Sequence, residues 1–488
     1  MAFDLVFFGG TGDLTWRKLM PALFQAWRHG TLPGDGRILA VARDERDDEG
    51  YRAWLQERLQ AVDSPKRPTD EEFAEFSKAI HYLRMDLTQA ADYRRLRSWL
   101  TSRSADTIVI YLATSPHLFP LICEQLGGAG LNHDRVRVVL EKPLGHDLAS
   151  AQEINRAVSS VFTERQALRI DHYLGKPSVQ NLMAMRFGNV LFEPLWRRDS
   201  IANIQITLAE HLGVGTRGDF YNRTGALRDM IQNHALQLLT ILAMEPPSSS
   251  DADAIRDEKL KVLRSLKPFD TISVARDVVR GQYRAGTIKG EPVKGYLGED
   301  KVPPDSHTET FVALKCEVHN WRWAGVPFYL RTGKRLAQHH SEIVVNFKPT
   351  PHQIFPGGNA PNRLVIKLQP EDGLELHLLA ARGTVNSVFN PTGHEALSPV
   401  SLDLDFDKAF PSERVGAYER MLLDAIAGRL NLFVRSDEQE QAWRWVEPML
   451  EAWRHDPAGV KYYAAGTWGP PAASALVARD GFAWSEEG

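Results

Sequence analysis

Short apolar runs without clean alternation mark the first third of the chain: Leu5–Phe8, Ile38–Ala42, Thr107–Ala113 (TIVIYLA) and Val136–Leu140 (VRVVL). The stretch from Arg17 to about Arg28 carries its apolar residues at helical spacing. Continuous β-branched runs of this kind fit parallel strands covered on both faces, so the pattern predicts a doubly wound α/β domain over residues 1–171. After residue 172 the pattern changes. Ile201–Ala209, Thr310–Val318, Ile343–Phe347, Arg363–Leu368 and Leu374–Leu379 show partial period-two alternation. They predict a larger α+β domain over 172–488, a mainly antiparallel sheet covered by helices. One long helix is expected around Gly225–Met244. The segment 245–258 (EPPSSSDADAIRDE) reads as a surface loop, and the tail WSEEG as mobile.

A chain of 488 residues exceeds what one hydrophobic core supports. Its 58 basic and 62 acidic residues leave a formal charge of −4. No bulk field then favours nucleic acid or an anionic membrane surface, and any bound phosphate must be held by local cations. The apolar runs fall well short of the roughly 18 residues a membrane span requires. Cys123 and Cys316 have no metal-ligand or C-x-x-C neighbour, which predicts buried free thiols in a reducing compartment. The start MAFDLVFFGG reads as a first strand rather than a signal peptide. The expectation is a cytoplasmic protein without nucleic-acid or membrane partners.

Residues 9–14, GGTGDL, lie between a strand and a helix. Gly9 permits a tight turn, and Gly12 lets the backbone approach a pyrophosphate at the helix N-terminus. G-x-x-G is less than the full dinucleotide fingerprint, and a purely structural turn has the same composition. Its place as the first βα turn favours the cofactor. Arg43, after the second strand, suits the 2′-phosphate of NADP; Asp44 and Glu45 follow, leaving NAD possible. In EKPLGHDL (141–148), Lys142 ends a strand that should face the nicotinamide, and Pro143, cis or trans, stiffens the turn.

RIDHYLGK (169–176) is the densest polar cluster. Asp171 can orient a base; His172, Tyr173 and Lys176 offer donors and a cation to a phosphate monoester. A strand end with a solvated lysine is the plain alternative. His234 sits on an apolar helical stripe with Leu227, Met230, Ile231, Leu238 and Ile241, where a histidine is more often a satisfied core residue than a base. Asp229, five residues earlier, lies about 140° round an α-helix from it. Lys334 and Arg335 occupy a basic turn.

Together the blocks GGTGDLTWRKLMP, EKPLGHDL, RIDHYLGK, GALRDMIQNHALQLL and NWRWAGVPFYLRTGKRL resemble the glucose-6-phosphate dehydrogenase family, in its order and over essentially the whole chain. The resemblance implies an N-terminal Rossmann domain, a C-terminal domain for substrate binding and dimerisation, and a homodimer or homotetramer. It implies His234 as the general base for the C1 hydroxyl of glucose 6-phosphate and Asp171 as its orienting carboxylate. His172, Tyr173 and Lys176 match the phosphate clamp. Lys18, Lys142, Glu210, Asp229 and Lys334 match contacts to the sugar. Gly9, Thr11, Gly12, Asp13, Leu14, Arg43 and again Lys142 match the dinucleotide site, with NADP as cofactor and no metal. Pro177 departs from a usual glutamate, but proline suits a first helical turn. His339 stands where lysine or arginine commonly aids the phosphate; its partial charge near neutrality implies a KM that rises between about pH 6 and 8. The competing readings are another EKP-type sugar oxidoreductase and a non-catalytic NADP-binding regulator.

Overall fold

The computed structural model describes residues 1–487 except 62–66, 353, 356–360, 382–396, 411–414 and 457–458. The chain divides into two compact units, and neither is a single stretch of sequence. The first comprises Met1–Pro177, Pro247–Asp257 and Arg414–Trp443; the second comprises Ser178–Pro246, Glu258–Glu413 and Arg444–Gly488.

In chain order the strands are β1 (Ala2–Phe8), β2 (Asp35–Ala42), β3 (Ile80–Arg84), β4 (Thr107–Leu112), β5 (Val136–Leu140), β6 (Ala167–Ile170), β7 (Ile201–Ala209), β8 (Val278–Arg284), β9 (Gly286–Ile288) and β10 (Glu291–Val293). They continue with β11 (Phe311–Glu317), β12 (Pro327–Gly333), β13 (His340–Phe347), β14 (Arg363–Gln369), β15 (Gly373–Ala381), β16 (Leu397–Asp405), β17 (Phe433–Val434) and β18 (Lys461–Ala464).

The first unit is built on a seven-stranded sheet of order β17-β6-β5-β4-β1-β2-β3. β1 to β6 are parallel, and only β17 joins antiparallel, on β6. Every side chain of β4 is buried, which explains why its run does not alternate. The strand order reverses between β1 and β4, so the crevice outside their carboxyl ends is the expected ligand position. The loops carrying residues 9–14, 43–46, 113–115, 141–147 and 171–176 all leave that carboxyl edge.

The second unit holds a nine-stranded sheet, β16-β15-β14-β13-β7-β12-β11-β8-β18. Its pairs are antiparallel except β7 with β12 and β8 with β18. The helical stretch Leu227–Ala243 packs on β7 and β12, and Pro471–Ala478 packs on β8 and β11.

Two expectations from the sequence fail locally. The segment 245–258 is not loop throughout, because a helix begins at Ala252 and runs to Ser265; Ile255 and Leu260 are buried along it. The tail is anchored rather than loose. Trp484 is fully buried, its indole N–H donates to the Ala473 carbonyl at 3.1 Å, and Glu486 pairs with the buried Arg331. Both cysteines are buried free thiols, and burial pushes the Cys123 thiol up to about 12. Among the described residues no helix is long and apolar enough to cross a membrane.

Candidate functional site

In the first unit the glycine turn is fixed from below. Gly9 adopts φ +92° and lies so close to the end of β4 that a Cβ would stand 2.6 Å from the Ala113 carbonyl oxygen. The N–H groups of Gly9 and Gly10 donate to the Val41 carbonyl, and the buried Tyr51 hydroxyl donates to the Gly10 carbonyl at 2.7 Å. Asp13 and Leu14 open the following helix, where first-turn N–H groups have no intrahelical acceptor and aim positive dipole at the crevice. The Thr114 hydroxyl, at the end of β4 beside Gly9, is buried and lacks a hydrogen-bond partner among the described residues. That close backbone and that orphaned hydroxyl fit a dinucleotide. Arg43 is exposed at the end of β2; its neighbour Asp44 accepts a hydrogen bond from the Thr11 hydroxyl at 2.7 Å.

The loop after β5 contains a cis peptide between Lys142 and Pro143. The Leu144 carbonyl accepts from the Gln439 side chain (2.6 Å) and the Trp443 indole (3.1 Å). Glu141 is buried and accepts from the Tyr111 hydroxyl, the Tyr418 hydroxyl and the Lys142 N–H at 2.9–3.1 Å. Burial outweighs these donors and raises its pKa.

Asp171, buried at the end of β6, accepts the Tyr173 N–H at 2.9 Å. The Lys176 ammonium lies 3.5 Å from the centre of the Tyr173 ring. The His172 ring stacks on Tyr418 at 5.9 Å with planes 6° apart. His172, Tyr173 and Lys176 are therefore one assembled turn with an aromatic wall. Pro177 opens the next helix, Pro177–Gly188.

Of the other residues named from the sequence, those in the second unit lie in two places. The first is the helical stretch after Gly225, where Leu227–Ala235 is π-helical. Each N–H in such a segment bonds the carbonyl five residues back, so residues five apart stack along the axis. Asp229 and His234 therefore share a face, and the 140° separation of a regular α-helix does not apply. His234 is fully buried. The entry to this segment is held by Glu309: its carboxylate accepts the Leu227 N–H at 3.0 Å and fills the space beside Gly225, which has φ +70°. Burial raises the Glu309 pKa. Lys18 stands on a second π-helical segment, Thr15–Leu19, in the first unit.

The second place is the end of three neighbouring strands, β7, β12 and β13. Glu210 follows β7 and Lys334 follows β12; the Lys334 ammonium meets the Glu210 carboxylate at 2.6 Å and lies 5.0 Å from the Tyr221 ring centre. The Glu210 N–H donates to the Gly333 carbonyl, and the Leu336 N–H donates to the Glu210 carbonyl, which locks the two strand ends together. Lys334 is buried, not a solvated turn residue. His339 is exposed just before β13, its ring edge-to-face with His211 at 5.6 Å.

Sequence reasoning missed Tyr51, Thr114, His211, Glu309 and Tyr418. Each is a single residue in a run with no periodic or motif signature, and only the fold shows what it touches.

Known proteins match both parts of the chain. The model described as "Glucose-6-phosphate dehydrogenase, NAD binding domain" matches residues 6–181, and that for the C-terminal domain matches 183–485. The glucose-6-phosphate 1-dehydrogenase of Mycolicibacterium smegmatis is 48% identical over 99% of this chain and 97% of its own length. That of Rhizobium meliloti is 46% identical over 99% and 98%. Among solved structures, a glucose-6-phosphate dehydrogenase in complex with its substrate glucose-6-phosphate superposes with TM-score 0.89 at 31% identity, covering 99% of this chain and 98% of that one. The Mycobacterium avium enzyme superposes with TM-score 0.85 at 36% identity over the same shares. With both domain models matched in order and near-complete coverage, the chain belongs to the glucose-6-phosphate dehydrogenase family.

Proposed function

We infer that the chain oxidises C1 of β-D-glucose 6-phosphate by hydride transfer, yielding 6-phospho-D-glucono-1,5-lactone, the first step of the pentose phosphate pathway. The observation that carries the assignment is His234. It is a fully buried imidazole on a π-helical face shared with Asp229, in a chain that matches the family from end to end. Burial disfavours an imidazolium unless something compensates, so a histidine kept there is a candidate for proton transfer.

In this reading His234 takes the proton from the C1 hydroxyl, and Asp171 is the carboxylate that orients it and stabilises the charge it gains. His172, Tyr173, Lys176 and His339 hold the phosphate. Glu210, Asp229, Lys334, Lys18 and Lys142 contact sugar hydroxyls. Gly9, Thr11, Gly12, Asp13, Leu14 and Arg43 hold the dinucleotide. A bound nicotinamide supplies the hydride acceptor at its C4, so the step asks no metal of the protein. NADP is the preferred cofactor: Arg43 offers a guanidinium for the 2′-phosphate, while Thr11 occupies the Asp44 carboxylate that would otherwise read a free 2′-hydroxyl. Val400, Leu402 and Leu404 lie exposed at alternate positions of the edge strand β16, which supports self-association through the large sheet.

The test follows reduced-nicotinamide absorbance with glucose 6-phosphate or free glucose, in the parent and in His234→Asn. The expected result is turnover that depends on the phosphate and falls roughly 10²–10⁴-fold in kcat for the variant. Equal activity on free glucose would favour another EKP-type oxidoreductase. NADP binding without turnover of either sugar would favour the regulatory reading.

A further inference from the structure

The end of the large sheet carries an imidazole pair that the family pattern did not predict. His211 follows Glu210 at the end of β7, and His339 precedes β13, whose His340 is registered against Ala209. The rings meet edge-to-face at 5.6 Å, planes 66° apart. The His211 Nδ1 is buried and has no hydrogen-bond partner among the described residues, an expensive state for a ring nitrogen.

The surrounding charges are committed to one another. Lys334 pairs with Glu210 at 2.6 Å, Arg335 with Glu299 at 3.5 Å, and His340 with Glu342 at 2.9 Å. The Tyr221 phenol faces Lys334 and is held well above its ordinary range by burial. His340 carries charge only when protonated, and Glu342 answers that charge, so the uncompensated charge this patch can gain is protonation of His211 and His339. Two imidazolium rings in contact repel, so double protonation is unfavourable until an anion bridges them. A phosphate dianion, with a second pKa near 6, is such an anion.

We propose that His211 is a substrate-binding residue that forms, with His339, a two-imidazole seat for the substrate phosphate, and that this seat takes up protons as it binds. The proposal rests on the assignment of glucose 6-phosphate as substrate. Where a lysine or arginine brings its charge permanently, this pair acquires charge with the ligand. A ring that is neutral in the free protein and required in its charged form by the bound phosphate takes up a proton on binding. The affinity for the phosphorylated sugar therefore weakens as pH rises.

Calorimetric titration of glucose 6-phosphate at pH 7.5, in two buffers of different ionisation enthalpy, counts the protons taken up. His211→Asn and His339→Lys should each lower that count by about one relative to the parent. His211→Gln serves if the asparagine variant does not fold. In the parent, the slope of log KM against pH from 7.5 to 9 should exceed one, and each variant should bring it to one or less. A His211 variant that binds more weakly with an unchanged proton count has lost only packing, and overturns the proposal. A parent that turns over glucose 6-phosphate with a slope below one overturns the proposal alone. A parent that neither binds nor oxidises glucose 6-phosphate overturns the substrate assignment with it.

Discussion

Arg43 shows how much of the cofactor question rests on one side chain. It is exposed at the end of β2, and its acidic neighbour is already engaged by Thr11 at 2.7 Å. A charge-assisted hydrogen bond to the 2′-phosphate contributes about 1.5–3 kcal/mol. Arg43→Ala should raise KM for NADP roughly 10–100-fold and leave KM for NAD within a few-fold; equal losses for both would remove Arg43 from 2′-phosphate recognition. Thr11→Val should shift preference further toward NAD by releasing Asp44. The place of Arg43 after β2 was legible in the sequence because the second strand has an unambiguous apolar run. Thr114 was not, although its orphaned hydroxyl lies beside Gly9: a lone threonine after a strand has no pattern to distinguish it.

At the scale of an element, the stretch after Gly225 is the informative one. Its apolar stripe and its histidine were visible, but a period of 3.6 residues was assumed, and the π-helical run changes which residues share a face. Nothing in LRDMIQNHA announces that choice. It goes with Glu309, 82 residues on from Leu227, whose carboxylate receives the Leu227 N–H. Glu309→Ala should cost about 1–3 kcal/mol by leaving that buried N–H unpaired, and should lower kcat through misplacement of His234. Because burial raises the Glu309 pKa above its unfolded value, the folded state holds more protons than the unfolded one in between. Stability from this group is thus greatest at low pH and falls as pH rises from the unfolded pKa through the raised folded one. Glu309→Gln, which keeps an acceptor without the charge, should flatten that fall. Denaturant unfolding at pH 4.5 and 7.5 measures it; a slope unchanged in the glutamine variant would assign the pH dependence elsewhere. The turn-rich 245–258 misled for a related reason: serine, proline and aspartate mark a helix start as readily as a loop, and the helix Ala252–Ser265 begins within them.

At the scale of the molecule, the two-part architecture was readable from the change in hydrophobic period, because parallel and antiparallel sheets bury their faces differently. The returns of the chain were not: β17 and the residues around Tyr418, Gln439 and Trp443 belong to the first unit, and no local pattern records a long-range partner. The anchored tail is a second case. Arg331 is buried, lies 4.1 Å from the Trp484 ring and pairs with Glu486. Ending the chain at Phe482 would strip a buried guanidinium of its carboxylate and expose the Trp484 cavity, costing about 3–5 kcal/mol. The truncated protein should unfold at a clearly lower denaturant concentration, and Glu486→Gln should fall between it and the parent. A midpoint unmoved by truncation would mean that the tail contributes nothing to stability.

The antiparallel strand at the rim of the nucleotide sheet also bears on synthesis. β6 is complete by Ile170, but the strand that covers its outer edge arrives only with Phe433 and Val434, some 260 residues later. At ribosomal speeds of about 5–20 residues per second, the nascent chain waits roughly 13–50 seconds with that edge open. During that interval β6 offers its unpaired backbone to any extended segment nearby, including one on a neighbouring nascent chain. The vulnerable period in the life of this enzyme is therefore its birth, and slow translation or crowded polysomes should harm its yield more than the stability of the finished protein would suggest.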